Sequence, residues 1–92
     1  MIEVSHNRQK SRFEYVENGN LAVLDYQERN GQLALTHTGV PDEIAGGGIG
    51  GALVKAAFDH ARAHGLKVLP LCSFAAAWLA RHPDYEDLRA GS

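Results

Sequence analysis

Gly46-Gly47-Gly48-Ile49-Gly50-Gly51-Ala52-Leu53-Val54-Lys55-Ala56-Ala57-Phe58 is the stretch at which this chain changes its hydrophobic period. Downstream, Val54, Ala57, Phe58 and Ala61 fall at i, i+3, i+4 and i+7, the stripe of an amphipathic helix. Nearly every residue before Ala52 is glycine, which is costly in a helix but exposes backbone N–H groups with no Cβ in the way. Several such groups ahead of a helix start form a site for phosphate. The expected ligand is a phosphorylated cofactor.

Upstream, the period is two. Ile2 to Ser5 reads as a short edge strand and His6 to Ser11 as a polar loop. Arg12 to Val16 places Phe13 and Tyr15 on one side. Two Asn-Gly pairs, Asn18-Gly19 and Asn30-Gly31, predict tight hairpins on either side of a strand from Leu21 to Glu28. From Gln32 to Thr38 the alternation sets Leu33, Leu35 and His37 on one face, with Ala34, Thr36 and Thr38 on the other. This is an antiparallel meander.

Beyond the helix, Gly65 is a natural stop, with Arg62 and His64 in the last turn. Leu66 to Leu71 is a short apolar strand interrupted by Pro70. Ser73 can cap a second helix, Phe74 to Arg81, that ends before Pro83. The fold class expected is α+β (mixed α/β): a meander, then helix, strand and helix. With 92 residues, the chain reads as a single domain, 1–92, with one core.

Composition excludes several classes. Apolar residues are 45% and charged residues 22%, as in ordinary globular proteins. A net charge of −2, with both signs scattered, gives no nucleic-acid signature. The single cysteine, Cys72, rules out an internal disulfide framework. The longest apolar run, Phe74 to Ala80, is far short of the ~18 residues of a membrane span, and no signal-peptide core is visible. A cytoplasmic protein, monomer or weak dimer, with neither nucleic acid nor membrane as partner, is expected. His60 and His64 stand at i,i+4 without supporting ligands, so no metal site is expected; with His6 they read as surface residues.

The glycines match GxGxxG literally, but antiparallel strands precede them, and Leu71 and Cys72 stand where a dinucleotide fold needs an acidic residue. The P-loop pattern fails for want of Gly-Lys-Ser/Thr. A plain flexible turn is the bland alternative. Just upstream, Pro41 lacks an N–H and holds Val40 extended, while Gly39 permits a bulge. The strand ending at Thr38 should therefore peel from its neighbour and leave amides with which a ligand could pair as a false strand. Phosphate-binding amides beside free strand amides suit coenzyme A: pyrophosphate at the first, pantetheine amides at the second.

These runs resemble the small, single-domain branch of the GNAT N-acetyltransferases. His37-Thr38-Gly39-Val40-Pro41, the glycine cluster, Ala61-Arg62, Gly65-Leu66-Lys67-Val68, Pro70-Leu71-Cys72-Ser73-Phe74 and His82-Pro83-Asp84-Tyr85 carry the likeness from about Arg12 to Leu88. The resemblance implies a minimal GNAT fold, acetyl-CoA as cofactor and an amine acceptor of unknown identity, protein or peptide included. The family's Q/R-x-x-G-x-G/A loop falls on Ala45 to Gly50, and the family's cofactor-binding glycines map onto Gly46, Gly48 and Gly50. Ala45 replaces the usual Gln or Arg and Gly47 a longer polar residue, so pyrophosphate binding here would rest on the main chain. The cofactor contacts implied are Thr38, Gly39, Val40, Ala45, Gly46, Gly47, Gly48, Ile49, Gly50, Gly51, Cys72 and Phe74.

An amine must be neutral to attack a thioester, so a base is needed. His37 is one candidate, a satisfied structural histidine the alternative. Cys72, where a strand ends and a helix begins, could act as nucleophile, as acid beside the cofactor sulfur, or as a small buried hydrophobe. The resemblance favours the acid or positioning role and adds Tyr85 as a possible proton donor to the leaving sulfur. The rival function is a coenzyme A-binding module without turnover; a third is an interaction domain with no cofactor.

Overall fold

The structure, a computed structural model, describes residues 2–91. Five strands form one sheet in the order β1-β2-β3-β4-β5: β1 (Ser5–Asn7), β2 (Arg12–Glu17), β3 (Asn20–Arg29), β4 (Gln32–Gly39) and β5 (Lys67–Pro70). The first four are antiparallel neighbours and β5 runs parallel to β4. Between β4 and β5 the chain makes a 3-10 turn (Asp42–Ile44) and helix α1 (Ile49–His64). Helix α2 (Ser73–Ala80) and a 3-10 segment (Pro83–Leu88) follow β5. This is the expected α+β architecture.

Both Asn-Gly hairpins form as the sequence predicts. Asn18 and Gly19 have φ of 52° and 77°, and Asn30 and Gly31 have 55° and 75°. Paired positive φ values match the twist of the flanking strands. Gly65 ends α1 with φ of 68°, its N–H and that of Leu66 both donating to the Ala61 carbonyl. The core lies between one sheet face and α1, where Leu24, Leu33, Leu35, Leu53, Phe58 and Val68 are fully buried. Phe58 stacks on Trp78 of α2 at 5.3 Å, joining the helices.

Several expectations need correction. The edge strand is Ser5–Asn7 rather than Ile2 to Ser5. Ile2 and Val4 leave the sheet and instead line a cleft on α1 with Ala52, Ala56, Lys55 and Asp59, where their apolar side chains meet small ones. His6 is therefore in a strand, not in a loop. Helix α2 begins at Ser73, so Cys72 and not Ser73 occupies the cap position. The 3-10 segment after Pro83 has no expected counterpart.

The most consequential correction is in β4. Leu35 pairs with Tyr26, but the next pairing is His37 with Asp25, leaving Thr36 as an extra residue in a β-bulge. The bulge lies at Thr36, not Gly39. Beyond it the faces exchange: Thr38 pairs with buried Leu24, and His37 pairs with Asp25 on the face away from α1. A bulge adds one residue to one strand, so every later side chain changes sides. His37 thus does not share a face with Leu33 and Leu35.

The three histidines read as surface residues are not equivalent. His6 stacks on Phe13 at 4.2 Å, meets His60 edge-on at 4.7 Å, and its Nε2 lies 2.6 Å from the Tyr26 hydroxyl. His60 in turn lies 4.2 Å from His64, which is exposed. Partial burial, foremost, holds the pKa of His6 and of His60 below the ordinary histidine value; neighbouring Arg8 and His64 push the same way and Glu28 opposes them. No group of His, Cys, Asp or Glu side chains among the described residues could hold a metal ion.

Two measurements test this packing. Because the folded rings bind protons less readily than the unfolded ones, stability is unaffected well above about pH 6.5 and declines as the pH falls through it. His60→Gln should flatten the melting-temperature profile between about pH 7 and 5; a profile as steep as the parent's would show that these rings are not linked to folding. Separately, a Cβ at Gly51 would meet only the Trp78 indole, at an ordinary 3.5 Å. Gly51→Ala should raise the unfolding free energy by up to about 1 kcal/mol through helix propensity, read by denaturant titration.

Candidate functional site

The site is built where β4 and β5 part. Their pairing runs from Gln32↔Lys67 to Leu35↔Pro70 and stops there. The Leu35 carbonyl then accepts both the Leu71 and the Cys72 N–H, each at 3.0 Å. That double bond turns the chain away from β4, which continues to Gly39 paired only with β3. A splay is present, but it begins after Leu35 and not at Gly39: β4 stays on β3 through Gly39, and the chain after β5 is what turns away.

Cys72 sits at the root of this gap, half-buried, with extended backbone (φ −79°, ψ 145°) as the N-cap of α2. Its Sγ lies 3.3 Å from Thr38 Oγ1. The contact depends on the bulge, which turns Thr38 toward the helix side. Phe74, two residues on, reaches across to the first turn of α1, and the N-termini of the two helices therefore lie side by side.

The glycine loop divides into two parts. Gly46 and Gly48 adopt left-handed backbone, with φ of 88° and 80°, and Gly48 caps α1. Gly50 and Gly51 lie within the first helical turn, not in the loop. The first amide to find a protein acceptor is that of Ala52, which donates to Gly48 O at 3.0 Å. Among the described residues, the amides of Gly46 to Gly51 donate to no protein group. Four of these, from Gly48 to Gly51, are the orphan donors at the start of any helix, and the left-handed Gly46 and Gly48 shape the anion-binding concavity called a nest. Ala45 departs from the expected cradle, because its N–H is taken by the Asp42 carbonyl at 3.2 Å.

A cleft of about 350 Å³ opens at this place, lined by Val40, Ala45, Gly46, Gly48, Ile49, Gly50 and Phe74. No charged side chain lines it. A chain with an apolar arm and a phosphate end fits such a lining: side chains for the arm, main-chain N–H groups for the charge.

A family-wide description of the GCN5-related N-acetyltransferases matches residues 12–88. The chain belongs to that family. It is also 35% identical over 85 residues to the mouse protein NATD1, covering 89% of this chain and 77% of the relative. Its fold superposes with a TM-score of 0.75 on the NMR solution structure of a GCN5-like candidate N-acetyltransferase from Staphylococcus aureus, at 35% identity, covering 98% of this chain and 89% of the other. No helix among the described residues is long and apolar enough to cross a membrane.

Of the residues expected at a GCN5-related site, the structure brings Thr38, Cys72, Phe74 and the glycine loop together. His37 stands on the opposite sheet face, exposed, with its ring over Gly39: a Cβ there would lie 3.1 Å from the imidazole Nε2. Tyr85 is elsewhere. Its hydroxyl donates to Asp59 Oδ1 at 2.7 Å, and that hydrogen bond, foremost, raises its pKa. Asp59 lies ten residues into α1 from Ile49, about 15 Å along the helix. Burial raises the Asp59 pKa, but hydrogen bonds from Lys55 and Tyr85 outweigh it and hold the carboxylate low. The ring of Tyr85 lies among Phe58, Trp78 and the Arg62 guanidinium.

Sequence reasoning missed the partnership of Thr38 and Cys72, because only the register with β3 reveals the bulge. The loop geometry is open to test. Gly48→Val forces an L side chain into left-handed backbone, where strain costs about 1–2 kcal/mol, although nothing lies within 4 Å of the new Cβ. Gly47 has neither positive φ nor a neighbour within 4 Å, so Gly47→Ala should stay within about 0.5 kcal/mol of the parent. Equal denaturation midpoints for the two variants would refute this backbone assignment.

Proposed function

We propose that the protein is an acetyltransferase that moves an acetyl group from acetyl-CoA to an amine. The observation that carries this reading is the run of unpartnered amides from Gly46 to Gly51, set against an apolar cleft and the open edge of β4. Those amides and the α1 dipole suit the pyrophosphate. Val40, Ile49 and Phe74 suit the pantetheine arm, and the edge of β4 beyond Leu35 suits its amide groups. Bound acetyl-CoA supplies the acetyl group as an activated thioester.

The chain's own residues divide the remaining work across the two faces of β4. His37 is exposed beside Asp25 on the outer face, and in this reading it takes a proton from an incoming amine at an imidazole nitrogen. Cys72 is hydrogen-bonded to Thr38 on the helix face, and in the same reading it holds a proton near the departing sulfur. The proton lost by the amine balances the one needed by that sulfur. N–H groups at the open edge near Gly39 and Val40 can stabilise charge on the acyl oxygen. Among the described residues no helix covers the outer face of β4, where His37 is exposed, and this openness favours an amine displayed on a protein or peptide.

Calorimetry with coenzyme A, beside thioester consumption over a panel of amines, tests the proposal. At a hundredfold excess over the dissociation constant, coenzyme A should add about 2.7 kcal/mol of stability. Cys72→Ala should lower turnover by about a hundredfold or more while leaving coenzyme A affinity nearly unchanged. Unaltered turnover would assign Cys72 to packing alone. Binding without turnover on any amine would leave a coenzyme A-binding module, and no binding at all would remove the cofactor reading.

A further inference from the structure

Gly50 lacks a backbone reason to be glycine. It lies in the first turn of α1 without a positive φ, where alanine would favour the helix by up to about 1 kcal/mol. The reason is across the cleft. A Cβ at this position would stand 2.7 Å from Cζ, 3.0 Å from Cε2 and 3.3 Å from Cε1 of Phe74. At neighbouring Gly51 the nearest atom would be a comfortable 3.5 Å away. The missing side chain at Gly50 is a notch that the tip of the phenyl ring fills.

Phe74 is itself unusual in being 40% exposed while forming one wall of the cleft. It is the second residue of α2, directly after the segment that carries Cys72. Its ring thus joins the start of α2 to the start of α1.

We infer that Gly50 and Phe74 form a notch-and-ring pair in which the seated ring positions bound coenzyme A, setting the gap between the loop amides and Cys72. This rests on the cofactor reading above and assigns the two residues a joint role within it. Gly50 is small to receive Phe74, not to let a phosphate approach. Because the ring tip is a free, partly exposed end, a methyl group at Gly50 turns the ring into the cleft and leaves the helix in place.

A double-mutant cycle on the full chain separates these meanings, with coenzyme A dissociation constants from calorimetry and the melting temperature of each unliganded protein. Gly50→Ala should weaken coenzyme A by about tenfold or more, the scale of forcing a methyl into a filled space. Its melting temperature should hold or rise. Phe74→Ala should also weaken binding, and Phe74→Leu less so. In the Phe74→Ala background, adding Gly50→Ala should cost nothing further, since the new methyl then meets no ring.

Equal losses from Gly50→Ala in both backgrounds would overturn the inference, because the methyl would then obstruct the ligand directly. So would affinity that stays at the parental value, or affinity lost only in step with a falling melting temperature. If the parent protein itself fails to bind coenzyme A, the cofactor reading falls and takes this pairing with it. A binding parent with an additive cycle rejects the pairing alone.

Discussion

A parallel pair of strands holds together by an even ladder of hydrogen bonds, and here that ladder is ended by one carbonyl. By accepting from both Leu71 and Cys72, the oxygen of Leu35 uses in one place the capacity that would have continued the pairing of β5. Pro70 reinforces the stop, since it has no N–H to offer β4. The consequences are spatial. β4 continues with a free edge, Cys72 is left at the root of the gap, and α2 starts beside α1 instead of at the far end of the sheet.

The bulge at Thr36 works with this break. Without an extra residue there, the alternation that buries Leu33 and Leu35 would point His37 into the core and Thr38 away from Cys72. With it, the free end of β4 presents a hydroxyl to the thiol on one face and an imidazole on the other. An imidazole and a thiol thus flank one strand edge, which is what the proposed transfer asks of an amine arriving from one side and an acyl carrier lying on the other.

How much of this could be read from sequence follows the range of the forces involved. The Asn-Gly hairpins, the stripe of α1 and the stop at Gly65 are set by residues within a few positions of one another, and each forms where the sequence puts it. The bulge is different, because nothing in Gln32 to Thr38 distinguishes an unbroken strand from one with an extra residue. Only the demands of β3 decide it, through Tyr26 and Asp25. The capping of α2 likewise turns on the distant Leu35 carbonyl, which draws Cys72 into extended backbone and leaves Ser73 helical. Ile2 and Val4 read as a strand because apolar residues at alternate positions look alike whether they meet a sheet or a helix. The placement of Tyr85 beside Asp59 is long-range as well, since only the path of the chain after Pro83 brings them together.

The glycine cluster shows why composition alone misleads about a site. Gly46 and Gly48 answer to backbone angle, Gly50 to the ring of Phe74, and Gly47 and Gly51 to neither demand. A run that looks like one device is therefore three. The left-handed pair bends the chain so that α1 can begin with its donors uncovered. The helical pair lowers intrinsic helix propensity at that start, a cost to stability with no local return. What Gly50 gives in exchange is spatial: its absent side chain admits the ring that brings the second helix, and Cys72 with it, to the same opening.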